Sequence, residues 1–257
     1  MTNKTQKAKS LTPEIKTQTQ QRAVTKHSGR MKTITTTIKY KTDHTHSFLN
    51  RNEQKILNAF ERLAAILRMA KTSNTAYTRI SEWHSDINLS VAQVQLDTLQ
   101  EQRLLRESSL QLTGDFEINT PEDYSIQFEV SHPVGHTITQ LLIAVDNELN
   151  AIERLFLFGA LDDLEYEQAC KQASAILTGV TDRIMKVTSP GKREGGQFNP
   201  RYYLEFLRDP HFNLLSLCHI PLEVAKKILT EEQLKLIVKA KAEDSVSQEE
   251  SAGKVAS

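Results

Sequence analysis

Within residues 31–40, MKTITTTIKY, four side chains suited to reading DNA base edges recur at every second position: Thr33, Thr35, Thr37 and Lys39. A threonine hydroxyl bonds polar groups on base edges and its methyl packs on the thymine methyl, while a lysine ammonium favours guanine. Lys26, Arg30, Lys32 and Lys41 flank the run and carry the charge that phosphates attract. A helix opening after Ser73 and Asn74 would add backbone N–H groups, a further donor set for phosphate.

Catalytic constellations are missing. Neither GxGxxG nor GxSxG is present, and Gly191-Lys192 lacks the upstream glycine and the following Ser or Thr of a P-loop. His132 and His136 have the i, i+4 spacing of two imidazoles on one helix face, but Pro133 and Gly135 between them suit a helix entrance better than a metal site. His44 and His46 lie in a polar stretch and are expected to be solvated or close to phosphate. Asp162, Asp163, Glu165 and Glu167 resemble a paired-carboxylate cluster, yet carboxylates in a first helical turn are explained by the positive end of its dipole. Nucleic-acid cleavage would need clustered His, Asp and Glu, and chain order brings only His132, His136 and Asp146 within reach. No catalytic residue, metal ligand or cofactor is assigned, and an enzyme is not indicated.

The composition bounds the remaining classes. The chain has 257 residues, 39% of them hydrophobic, enough for one or two domains with a sizeable core. Cys170 and Cys218 form no CxxC pair, and two cysteines make no disulfide framework. Cys170, between Ala169 and Ala173, reads as a small packing residue. The basic, polar N-terminus has no apolar signal-peptide stretch, and the least charged stretch, Val130 to Val145, is too short and polar to span a bilayer. A reducing cytoplasm is the expected compartment, with no membrane contact. Lys+Arg and Asp+Glu are equal at 32 each, but the balance is uneven along the chain. Up to His46 ten basic residues meet only Glu14 and Asp43, so that segment carries +8 and the rest −8. A basic end on an acidic body is the pattern of a chain that meets a polyanion with one end.

These residues must be held by elements that the periodicity outlines. Residues 1–29 are too polar to offset their ordering entropy and read as a disordered basic arm. Residues 30–105 read as a strand plus helices, the DNA-binding and dimerisation element. In the strand, Ile34, Ile38 and Tyr40 form the inner face, opposite the threonines and Lys39. A lone strand needs a partner, either the same strand of a second chain or a distant strand of this one, in which case it simply joins the 110–130 meander in one intramolecular sheet. Ile56, Phe60, Leu63 and Leu67 predict a helix over about 52–70, with a short turn capped by Asp43 before it. Tyr77, Ile80, Trp83 or His84, and Ile87 continue a second helix, and Ser90 with Gln93 reads as the capping box of a third. Residues 106–243 read as a small β-meander and a helical body. Leu110, Leu112, Phe116, Ile118, Ile126, Phe128 and Val130 alternate, with Thr113-Gly114-Asp115 as a turn. A helix from about Val134 stops at Gly159, Asp162 opens the next, and shorter helices follow at 202–207, 222–228 and 231–242. Between them, residues 188–200 form a loop with a basic cluster at Lys192, Arg193 and Arg201. Residues 244–257 read as a disordered tail. The fold class is mainly α with a few strands (α+β), opening on a ribbon-helix-helix-like strand-helix-helix element.

The segments ITTTIKYKTDHTHSFLNR, HPVGHTITQLLIAVDNELNAIERLFLFGALDDLEYEQA, RYYLEFLRDP and CHIPLEVAKKIL together resemble the AcaB family of conjugative-element proteins, over roughly residues 33–229. The resemblance implies a dimeric transcriptional regulator of plasmid transfer genes that binds promoter DNA through a ribbon-helix-helix-like element. The expected function is therefore a homodimeric regulator, an activator of transfer genes, that lays a β-ribbon in the major groove of double-stranded DNA. The competing expectation is a non-enzymatic adaptor of the conjugation machinery, whose acidic stretch from Asp146 to Glu167 binds a protein partner and whose arm touches DNA non-specifically.

Overall fold

The computed structural model describes residues 32–70, 74–108, 124–189 and 198–238. Among the described residues two strands, β1 (Ile34–Lys39) and β2 (Ser125–Val130), accompany seven α-helices: α1 (Asp43–Ala70), α2 (Thr75–Glu82), α3 (Ser90–Glu107), α4 (Gly135–Leu157), α5 (Asp163–Val187), α6 (Pro200–Arg208) and α7 (Leu222–Ile228). Residues 231–238 are also helical. The class is mainly α with a two-stranded antiparallel sheet.

β1 finds its partner within its own chain. It pairs antiparallel with β2, in a register that sets Ile38 opposite Ile126, Thr36 opposite Phe128 and Ile34 opposite Val130. Of the two partners left open for β1, the same strand of a second chain or a distant strand of its own, it pairs with the second, β2. The apolar alternation of β2, with Ile126, Phe128 and Val130 all buried, gives it an inner face that matches Ile38 and Tyr40 of the first strand. Of the expected meander, this strand is the part among the described residues; Leu110, Leu112, Phe116, Ile118 and the turn at 113–115 lie outside them. Gly135, at the start of α4, gives β2 its seat: a Cβ there would meet Val130 Cγ1 at 2.0 Å.

α1 is one helix of 28 residues, about 42 Å long at 1.5 Å per residue, rather than a short turn followed by a second helix. Phe48 and Leu49 are buried with Ile56, Phe60, Leu63 and Leu67, so the core holds the first two turns in line. Thr42, not Asp43, caps it: the Thr42 hydroxyl accepts from the Thr45 N–H at 3.2 Å. α4 and α5 are joined through Gly159 at φ +72°, with Ala160 N–H donating to the Leu155 carbonyl and Gly159 N–H to that of Phe156, a Schellman ending. Asp162 and Glu165 then form a reciprocal capping box, as do Thr230 and Gln233.

The second correction lies between α2 and α3. Ser90 does not cap a new helix; the chain runs on through a π-helical segment, Trp83–Leu89, without a side-chain cap. The wide turn directs Trp83, His84, Ile87 and Asn88 inward, and all four are buried. His84 Nδ1 accepts from the Asn88 amide at 3.3 Å, which leaves Nε2–H to donate to the Thr137 hydroxyl at 3.2 Å. Burial, followed by the nearby Arg183 cation, pushes the imidazole down from 6.5 to about 4. The native state thus keeps His84 neutral while the unfolded chain takes up a proton below about 6.5. Its contribution is intact above that pH and is lost as pH falls toward about 4, by roughly 3 kcal/mol. Urea midpoints of wild type and His84→Gln between pH 7 and 4 check this: the wild type should lose stability more steeply, and parallel curves refute the assignment.

Candidate nucleic-acid interface

The two strands present a continuous polar surface to solvent. Thr35, Thr37 and Lys39 are exposed on β1, and Ser125 and Gln127 are exposed on β2, with Glu129 half-buried beside them. Directly opposed residues of an antiparallel pair share a face, so this surface has three rungs: Thr35–Glu129, Thr37–Gln127 and Lys39–Ser125. Ile38 and Tyr40 face the helices, as the alternation requires. Ile34 departs from it; although on the inner face, it is 61% exposed. Thr33 is half-buried, and its hydroxyl donates to the Glu129 carboxylate across the ribbon.

The ribbon is anchored at the corner where β1 turns into α1. The buried Asp146 carboxylate of α4 accepts from Lys41 N–H at 2.8 Å, Thr42 N–H at 3.2 Å and the Thr42 hydroxyl at 2.9 Å. Beside this corner Tyr40, His46 and Tyr124 stack, with His46 and Tyr124 ring centroids 4.8 Å apart. The Tyr40 hydroxyl lies 2.8 Å from His46 Nδ1. Tyr124 donates to the Asp43 carboxylate, which pushes the phenol up to about 12. His44 Nε2 lies 2.7 Å from the Ser174 hydroxyl, and burial lowers its pKa. Both histidines expected in solvent or near phosphate are therefore packed into the fold. His132 serves the helix entrance, its Nδ1 accepting from Val134 N–H at 3.2 Å.

The remaining candidates are dispersed. Lys32 is exposed at the start of β1. Lys41 is exposed, and its ammonium donates to Asn147 Oδ1 at 3.1 Å. Asn74 sits at the head of α2, where its side chain accepts from Ala76 N–H at 3.0 Å and caps the helix. Lys26, Arg30 and Ser73 lie outside the described residues, as do Lys192 and Arg193 of the basic loop. Sequence reasoning missed Ser125, Gln127 and Glu129. Their alternation with Ile126, Phe128 and Val130 was legible, but nothing local says that this strand pairs with β1.

Among the described residues, no helix is long and apolar enough to cross a membrane. No family model matches the chain, and no curated protein matches it. Among solved structures, AcaB from uropathogenic E. coli is a distant likeness: TM-score 0.46 and 13% identity, covering 80% of this chain and 96% of that one.

Proposed function

We propose that this chain is a sequence-specific regulator that binds double-stranded DNA, an activator of conjugative transfer genes, and that it acts as a homodimer with its β1–β2 ribbon in the major groove. The observation that carries this reading is the split of the ribbon. One face, with Ile38, Tyr40, Ile126 and Phe128, is buried on the helices, and the other offers Thr35, Thr37 and Lys39 to solvent. A two-stranded ribbon about 5 Å between strands fits a groove about 12 Å wide. Because β2 completes the ribbon within one chain, the second copy contributes a second ribbon for a second half-site rather than a missing strand. The exposed Ile34 at the ribbon's end supports a partner contact there. Lys26, Arg30, Lys32 and Lys41 are assigned to phosphates, together with the segment at Ser73 and Asn74. The transfer-gene assignment rests on the sequence resemblance.

Fluorescence anisotropy tests the reading, with the full chain titrated against promoter duplexes of its host element and scrambled duplexes at several salt concentrations. One promoter duplex should bind at least about 10³-fold more tightly than the scrambled ones. Thr35→Ala and Lys39→Ala should each lower that discrimination by about 1–3 kcal/mol, while Lys32→Ala weakens all duplexes alike and reduces the salt slope by about one. Equal, weak and strongly salt-dependent binding to every duplex rejects the regulator.

A second reading, an adaptor that docks a protein partner, is favoured by a different observation. In the acidic stretch expected to carry such a contact, Leu157 is 61% and Leu164 72% exposed, at the corner between α4 and α5. Exposed leucines concentrated at one corner are a feature of interaction surfaces.

A further inference from the structure

We infer that the central rung of the ribbon, Thr37 opposite Gln127, reads an A·T base pair, with Gln127 as the specificity-determining residue. The inference rests on the reading of the ribbon as a major-groove element and adds the base that it selects. Gln127 lies in the middle of β2, is exposed, and shares the outward face with the threonines and Lys39. A primary amide offers one donor and one acceptor side by side, the complement of the adenine N7 acceptor and N6 donor. Guanine, with acceptors at both N7 and O6, cannot satisfy the amide oxygen. Thr37, directly across the rung, brings a methyl within about 5 Å of the same position, where the thymine of that pair carries its own methyl.

The neighbouring rungs give the ribbon a direction. Lys39 stands two residues along β1 from Thr37, about 6.7 Å away, the rise of two base pairs. A guanine preference is therefore expected about two base pairs from the A·T pair. On the other side the Glu129 carboxylate is an acceptor only, so it disfavours the acceptor edges of guanine. An ammonium at one end and a carboxylate at the other fix which way the ribbon lies on its site.

Selection of bound sequences from a random duplex library, run with the full chain, tests the assignment. Wild type should select an A·T pair with a guanine about two base pairs away. Gln127→Ala should flatten the preference at the A·T position alone, by roughly 5- to 150-fold, and leave the guanine preference in place. Gln127→Glu, which exchanges the amide donor for a second acceptor, should move the preference toward cytosine, an outcome that a purely structural role would not give. Circular dichroism and the urea midpoint of each variant should match wild type, because the side chain is exposed. If wild type selects a motif that Gln127→Ala leaves unchanged, or if the variant weakens all positions equally, the role of Gln127 is overturned and the regulator reading survives. If wild type selects no motif, both fall together.

Discussion

Asn88→Ala is expected to lower the stability of the fold by about 3–5 kcal/mol, far more than an ordinary polar-to-alanine change. The reason lies in Arg183, 96% of whose surface is buried, as its 4% exposure implies. Burial lowers its guanidinium to about 10, so it remains charged at neutral pH. Among the described residues no carboxylate forms an ion pair with it. Asn88 takes that place: its Oδ1 accepts from Arg183 Nε at 2.7 Å, and its backbone carbonyl accepts from Nη2 at 3.2 Å. The same side-chain amide donates to the Val180 carbonyl at 3.4 Å and to His84 Nδ1 at 3.3 Å. Alanine removes a charge-assisted bond, worth about 1.5–3 kcal/mol, and orphans the buried His84 Nδ1 acceptor at about 1–3 kcal/mol, whereas the Val180 carbonyl keeps its place in the α5 helix. Urea denaturation at pH 7 measures the sum. Asn88→Asp, which keeps the acceptor and adds a charge opposite to that of the guanidinium, should recover part of it. A loss under about 1 kcal/mol in the alanine variant would mean that water or another group serves Arg183, and the network described here would be wrong.

That network was out of reach of pattern reading, and the reason is specific. Asn88 falls among polar neighbours in a stretch whose periodicity is broken by the π-helical turn, and the pattern offers Trp83 or His84 for the core where the wide turn buries both. Ser90 and Gln93 have the spacing of a capping box, and only the continuity of the backbone through Leu89 shows that no helix begins there. Long, strongly periodic segments behaved differently. The stripe of α1, the stop of α4 at Gly159 and the start of α5 at Asp162 follow from side-chain spacing and from the one residue that tolerates positive φ, all local properties. The start of α1 was misplaced because His44, Thr45 and His46 are weak helix formers, and the burial of Phe48 and Leu49 overrides that propensity. For the candidate interface, period two sorted Thr35, Thr37 and Lys39 from Ile38 and Tyr40 correctly. It left open what lies across the ladder, because a strand's alternation is the same whichever partner it meets. The partner is some 90 residues downstream, and with it came Gln127 and Glu129.

The corner that carries the ribbon is the second site where one substitution should have a large effect. Asp146→Ala is expected to lower stability by about 3–4 kcal/mol and, on the proposed function, to abolish preferential DNA binding in whatever fraction remains folded. Asp146 is 3% exposed, and all three groups that it accepts from belong to Lys41 and Thr42, two of the three residues between β1 and α1. Without the carboxylate, two backbone N–H groups and one hydroxyl lose their acceptor, at about 1–3 kcal/mol each before relaxation. The Thr42 hydroxyl can turn its proton to the Thr45 hydroxyl 2.8 Å away, so the two backbone N–H groups carry most of the cost. Tyr40 still holds the end of β1, donating its N–H to the Tyr124 carbonyl and stacking on that ring, but the buried anchor at residues 41 and 42 is gone. Asp146→Asn separates shape from charge: its carbonyl can still serve Thr42, but its amide turns a donor toward Lys41 N–H, so about half of the loss should persist. Hydrogen exchange reads the local effect directly. Amides of residues 34–42 should lose protection in Asp146→Ala beyond the global change, whereas those in the middle of α5 should follow global stability alone. Should the residues 34–42 stay as protected as α5, the carboxylate does not hold the ribbon, and the orientation of Thr35, Thr37 and Lys39 must be set by the β1–β2 ladder and the packing of Ile38 and Tyr40.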